Sequence, residues 1–238
     1  MFKLLRQASD DLLWPAVFIL FVWLVYLSNI TYDLGLNNYG IHPRSLKGLL
    51  GVVFSPFLHG GFGHLFSNTI PFVVSAGFLF HFYKEHSWKL IGLMWFFSGF
   101  PVWLYGEVYS NHIGASGLVY GQVFFLLASG LIRKNQSLSA VAMLLVFLYG
   151  SMVWGLLPQF SHDFVNISWE GHLSGAVTGV VLAFVYRKYG PEDDLSDIHE
   201  DEDEEEELPD WWIEQHNTQG EENPTIRYHY TEKKDNQE

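Results

Sequence analysis

Six long apolar stretches constrain this chain more than any other feature. They are Leu12–Ile30, His64–Tyr83, Trp88–Tyr105, Ser116–Ile132, Leu138–Leu157 and Gly171–Tyr186. A helix needs roughly 17–25 apolar residues to cross the hydrocarbon core of a bilayer. The stretches therefore predict an all-α membrane protein with six transmembrane helices. The third contains "SGFP" and is expected to break there, the fourth is short, and no internal repeat is visible.

Charge divides the chain in two. Residues 190–238 hold 19 acidic and 3 basic residues, a net of −16, whereas residues 1–189 hold 7 acidic and 10 basic, a net of +3. The total of −13 thus describes the tail. We read 1–189 as a membrane-embedded domain and 190–238 as a separate acidic segment. The run Glu200 to Glu207 is eight acids without interruption. A block of like charge repels itself and stays solvated, so a disordered tail is expected. Within it, "LPDWWIEQH" with Trp211 and Trp212 is a candidate docking segment.

Basic residues between the stretches set the orientation. Lys3, Arg6, Lys84, Lys89, Arg133, Lys134, Arg187 and Lys188 fall on one side, and Arg44 and Lys47 on the other. The positive-inside rule places the eight, and with them both termini, in the cytoplasm. An even number of spans agrees. Lys3 and Arg6 precede the first apolar run, but no small-x-small cleavage site follows, so that run is read as a retained span. This suggests a bacterial plasma membrane. With no cysteine, the chain has no disulfide framework, thiolate metal site or cysteine nucleophile.

Polar side chains inside spans are expensive and are functional candidates by default. His64 and Asn68 share one face of span two, Ser116 opens span four, and His172 opens span six. Spans two, four and six all run inward, so these four residues collect at one outer level. Taken singly, each is an ordinary packing or helix-bridging group, and His59 can simply face water. Taken together, they fit acyl transfer. A serine is a weak nucleophile until a base takes its proton, and His172 can be that base. His64, Asn68 and the backbone N–H groups at the start of span four can serve a tetrahedral oxyanion.

Glycines support close approach. Gly114 and Gly117 flank the serine, Gly117 and Gly121 are four apart, and Gly171, Gly175 and Gly179 repeat at the same interval on span six. Small-xxx-small spacing lets membrane helices meet backbone to backbone. That contact would bring His172 to Ser116. Tyr120, one turn below the serine, can pack under the imidazole. Loop 106–115 is expected to dip inward and leave Ser116 at the base of a wet cavity.

The segments "HGGFGHLFSN", "GASGLVYG" and "GHLSGAVTG" resemble, in order and on spans two, four and six, the signature regions of the rhomboid family of intramembrane serine proteases. The likeness runs from about His42 to Tyr186. It implies a six-helix bundle, a Ser116–His172 dyad with His64 and Asn68 assisting at the oxyanion, and cleavage of substrate transmembrane segments near the outer side. The tryptophan–arginine pair in the first loop of some members is missing, and "IHPRSLKG" stands there instead. The family also includes inactive relatives that bind membrane proteins, and these generally lose the serine or the histidine. This chain keeps both.

Other readings are weaker. A transporter or channel predicts mid-membrane acids, and spans two, four and six have none beyond Glu170 at a boundary. A metal site of His59, His64 and His172 has neither an HExxH motif nor a carboxylate or thiolate partner. No cofactor is expected. The expected partners are transmembrane protein substrates and the lipid bilayer, not nucleic acid.

Overall fold

The computed structural model describes residues 2–148, 155–157 and 168–191. The acidic tail from residue 192, its Trp211–Trp212 segment and the centre of the fifth apolar stretch lie outside the described residues. Among the described residues there are seven α-helices: α1 Phe2–Tyr32, α2 Leu46–Phe54, α3 Phe62–Phe82, α4 Ser87–Tyr105, α5 Ser116–Arg133, α6 Gln136–Leu148 and α7 Trp169–Val185. Short 3₁₀ turns occupy Leu36–Tyr39 and Ser55–Phe57. Among the described residues there is no strand, only an isolated antiparallel bridge between Ile41 and His112.

The helices are apolar on faces a soluble helix would make polar. α1 buries Ile19, Val22 and Tyr26 but exposes Leu13, Leu20, Phe21 and Leu24. Such an all-round apolar surface marks a helix made for lipid. Asp11–Tyr32, α3 and α5 are long and apolar enough to cross a bilayer; α6 and α7 are apolar but shorter. The described part of the chain is therefore all-helical, with three helices long and apolar enough to cross a membrane.

α5 is the hub, packed against α3, α4, α6 and α7, with α1 on the far side of α3. Phe72, Leu79, Leu90, Met94, Leu118, Phe125 and Leu138 fill the interior. The α5–α7 contact is made by glycine. A methyl group added to Gly175 would overlap the Gly117 carbonyl, and one on Gly179 the Gly121 carbonyl. Lipid is as apolar as leucine, so helices in it associate by close packing, which small residues permit.

α4 runs unbroken through "SGFP", against the break expected there. Pro101 has no N–H, so the carbonyl of Phe97 loses its helical partner. Thr178 Oγ1 of α7 lies 3.2 Å from that carbonyl and 2.7 Å from the Ser174 carbonyl of its own helix, so its one hydrogen is shared between the two. A proline is tolerated in a membrane helix when a neighbour satisfies the freed group.

The first loop is bound to α4. Trp103 Nε1 donates to the Ser45 carbonyl at 2.8 Å, Trp95 Nε1 to the Val52 carbonyl at 3.1 Å, and the Arg44 amide to the Trp103 carbonyl at 2.9 Å. Gly48 and Gly51 let α2 lie directly on the backbone of residues 40–42. The other side of α2 exposes Leu46, Leu50, Val53 and Phe54.

Candidate active site

Ser116 is the first residue of α5. Its N-cap position is Ala115, whose side chain makes no capping bond. The first-turn N–H groups of α5 are thus without a side-chain acceptor, and they point toward the helix entrance. The chain reaches that entrance through Gly114 at φ +112°, a conformation that side chains other than glycine's rarely adopt.

His172 sits in the first turn of α7, which Ser168 caps by accepting the Gly171 N–H. His172 Nε2 lies 2.8 Å from Ser116 Oγ, and Nδ1 lies 3.0 Å from the Gly155 carbonyl. A carbonyl only accepts, so Nδ1 carries the proton and Nε2 is left as the acceptor for the serine hydroxyl. Beneath the imidazole lies Tyr120, its ring centroid 4.1 Å away and its plane 9° from parallel. His172 is buried and Ser116 half-buried.

His64 and Asn68 meet the same place from α3. A methyl on Gly114 would lie 2.6 Å from His64 Nε2 and 3.8 Å from Asn68 Nδ2. Both side chains therefore point at the turn two residues before Ser116. Asn68 donates one N–H to the His64 carbonyl at 2.9 Å; a carboxamide has a second. A cavity of about 30 Å³ adjoins Ser116, lined among others by Ile41, Ser98, Val102, Gly114 and Gly171. It has room for water.

The fold thus brings together Ser116, His172, Tyr120, His64, Asn68 and Gly114, with Gly117, Gly175 and Gly179 at the helix crossing beside them. A family model described as Rhomboid domain matches residues 47–189. The chain belongs to the rhomboid family. Its similarity extends to uncharacterised proteins of Mycobacterium tuberculosis and Mycobacterium bovis, each 39% identical over 176 residues, covering 69% of this chain and 72% of the relative. An uncharacterised Mycobacterium leprae protein is 35% identical over 176 residues, covering 69% and 68%.

Two features of this rhomboid site escaped the sequence reading. The Gly155 carbonyl, which orients His172, is a backbone atom and carries no side-chain signal. Gly155 itself lies against the imidazole: a methyl there would be 2.9 Å from His172 Nδ1. His59, which on sequence alone can simply face water, is 2% exposed, and neither ring nitrogen has a hydrogen-bond partner of ordinary geometry among the described residues. Its ring meets that of His64 edge-on at 5.0 Å. Burial, with His64 adding to it, holds the His59 pKa down at about 3, so the ring is neutral. Among the described residues no cluster of three or more metal-ligating side chains exists.

Proposed function

We propose that this rhomboid-family protein is an intramembrane serine endopeptidase that cleaves membrane proteins in or near their transmembrane segments. One observation carries the reading: the 2.8 Å approach of His172 Nε2 to Ser116 Oγ, in the tautomer that leaves Nε2 as acceptor. His172 takes the serine proton as Ser116 Oγ bonds to the scissile carbonyl carbon. The oxyanion forms beside the uncapped first turn of α5, with His64 and Asn68 as further donors. His172 then returns its proton to the departing amine, and the peptide C–N bond breaks. A water activated by the same imidazole releases the acyl group. Six spans, cytoplasmic termini and a bacterial plasma membrane complete the proposal, supported by the basic-residue asymmetry and the mycobacterial relatives.

The test is cleavage of a purified transmembrane substrate by the full-length protein. Ser116→Ala and His172→Ala should each abolish cleavage while folding is retained. The double variant should be no worse than either single one, because nucleophile and base act as a unit. A wild-type protein that binds a transmembrane helix but never cleaves it, or a Ser116→Ala variant that still cleaves, would overturn the proposal.

A further inference from the structure

A second histidine near the site has both ring nitrogens in short hydrogen bonds. His112 stands in the loop before α5, four residues ahead of Ser116. Its Nδ1 lies 2.7 Å from Ser168 Oγ and its Nε2 lies 2.6 Å from Ser110 Oγ. Its own N–H and C=O pair with Ile41 at 3.0 and 2.9 Å. Ser168 is the N-cap of α7 and accepts the Gly171 N–H at 3.1 Å. The next residue after Gly171 is His172. An unbroken set of contacts therefore joins the serine-bearing loop to the turn that carries the base.

The hydrogens run in one direction. Ser110 places its hydroxyl 2.6 Å from the Glu107 carbonyl, which can only accept, so the Ser110 hydrogen goes there. His112 Nε2 must then donate to Ser110 Oγ. Burial lowers the His112 pKa against the pull of Glu170 and Glu107, with His42 lowering it further, which favours the neutral ring. A neutral imidazole protonated on Nε2 accepts on Nδ1. Nδ1 takes the Ser168 O–H, and a lone pair of Ser168 takes the Gly171 N–H. Each group donates once.

We infer that His112 is a positioning residue: by holding Ser168 it fixes the first turn of α7, and with it the separation of His172 Nε2 from Ser116 Oγ. The inference rests on the protease reading of that pair. Further along α7, Gly175 and Gly179 lock the helix against α5. At the entrance, the Ser168 side chain is what His112 can hold. A displacement near 1 Å costs on the order of 10²-fold in rate, so a modest loosening here is enough to matter.

Substitution separates the two nitrogens. An asparagine amide reaches the place of Nδ1 and keeps the Ser168 bond; a glutamine amide reaches the place of Nε2 and keeps the Ser110 bond. The full-length protein is assayed for kcat and KM on a transmembrane substrate, for labelling of Ser116 by a fluorophosphonate, and for amide exchange over residues 169–175. His112→Ala should lower kcat and labelling by about tenfold or more, leave KM nearly unchanged, and speed exchange over 169–175. His112→Asn should restore all three and His112→Gln none. Wild-type rates and exchange in His112→Ala, or rescue by Gln but not Asn, would overturn the inference. If the Ala variant does not fold, the Asn–Gln comparison decides. If the wild type takes no label and cleaves nothing, the protease reading fails, and exchange alone judges the His112–Ser168 link.

Discussion

The ring of Tyr120 lies flat beneath His172, with centroids 4.1 Å apart and planes within 9°. Ser116 and Tyr120 are one turn apart on α5, so the helix that supplies the serine also supplies the floor for the imidazole. Flat stacking restricts tilt of the imidazole, while the Gly155 carbonyl restricts its rotation.

This arrangement predicts a difference between removing the Tyr120 hydroxyl and removing the ring. Tyr120→Phe should keep most activity. Tyr120→Leu should lower kcat by about tenfold to 10²-fold, the scale of a small misplacement, with a stability loss of about 0.5–1.5 kcal/mol for the lost ring pair. Steady-state cleavage and thermal unfolding measure the two separately. A Leu variant with wild-type kcat would show that the stack does not orient the base.

The glycine crossing predicts a graded response. At Gly179 even one methyl overlaps the Gly121 carbonyl and comes 2.8 Å from the Phe125 amide nitrogen. Gly179→Leu should push α7 from α5, at a stability cost of about 1–3 kcal/mol. The His172–Ser116 contact would lengthen with both residues intact. Gly179→Ala should be milder in both respects. Cleavage rates and melting temperatures for the pair check this; wild-type rates in Gly179→Leu would contradict the backbone-to-backbone crossing.

Thr178 and Pro101 should be coupled. Thr178→Val removes the hydroxyl beside the Phe97 carbonyl. In a membrane protein that interhelical bond is worth about 0.6 kcal/mol on average and up to about 1.7. Pro101→Ala supplies a backbone N–H to the same carbonyl. A double-mutant cycle by unfolding should find Thr178→Val costly with Pro101 present and nearly neutral with Ala at 101. Strict additivity would mean that the hydroxyl serves only its own helix, through the Ser174 carbonyl 2.7 Å away.

Much of the candidate site's geometry was legible because its polar residues stand out against apolar surroundings. Ser116, His172, His64 and Asn68 stand near the starts of long apolar segments, and the glycine interval on α7 reports a backbone crossing directly. What escaped was set by partners distant in sequence. "SGFP" reads as a helix breaker until Thr178 is placed beside Phe97. "IHPRSLKG" carries no local sign of its partner, Trp103 of α4, which donates to the Ser45 carbonyl within it. His112 and Ser168 are 56 positions apart, and neither has a local pattern that names the other. The His172 orienter is a backbone carbonyl and leaves no letter to read.

His59 gives a pH-dependent prediction. Its ring is buried, neither ring nitrogen has a hydrogen-bond partner of ordinary geometry among the described residues, and burial holds its pKa in the folded protein at about 3 against an ordinary value of 6.5, despite a backbone contact with Phe57 that raises it. Above pH about 6.5 the ring is neutral in folded and unfolded chains alike, and its effect on folding does not change with pH. Between that value and the folded pKa, the unfolded chain takes up a proton that the folded chain does not. Stability must therefore fall as pH falls through this window, by up to about 1.4 kcal/mol per pH unit from this one group. His59→Leu keeps an apolar side chain of moderate size and removes the titration. Melting temperatures of wild type and variant, measured from pH 7.5 down to about 4.5, should converge or cross as the solution becomes acidic, with wild type losing stability faster. The other histidines are common to both proteins, so the difference between the curves isolates His59. Parallel curves would mean that His59 gains a proton in the folded protein as readily as in the unfolded one, and that its burial is relieved before the chain unfolds.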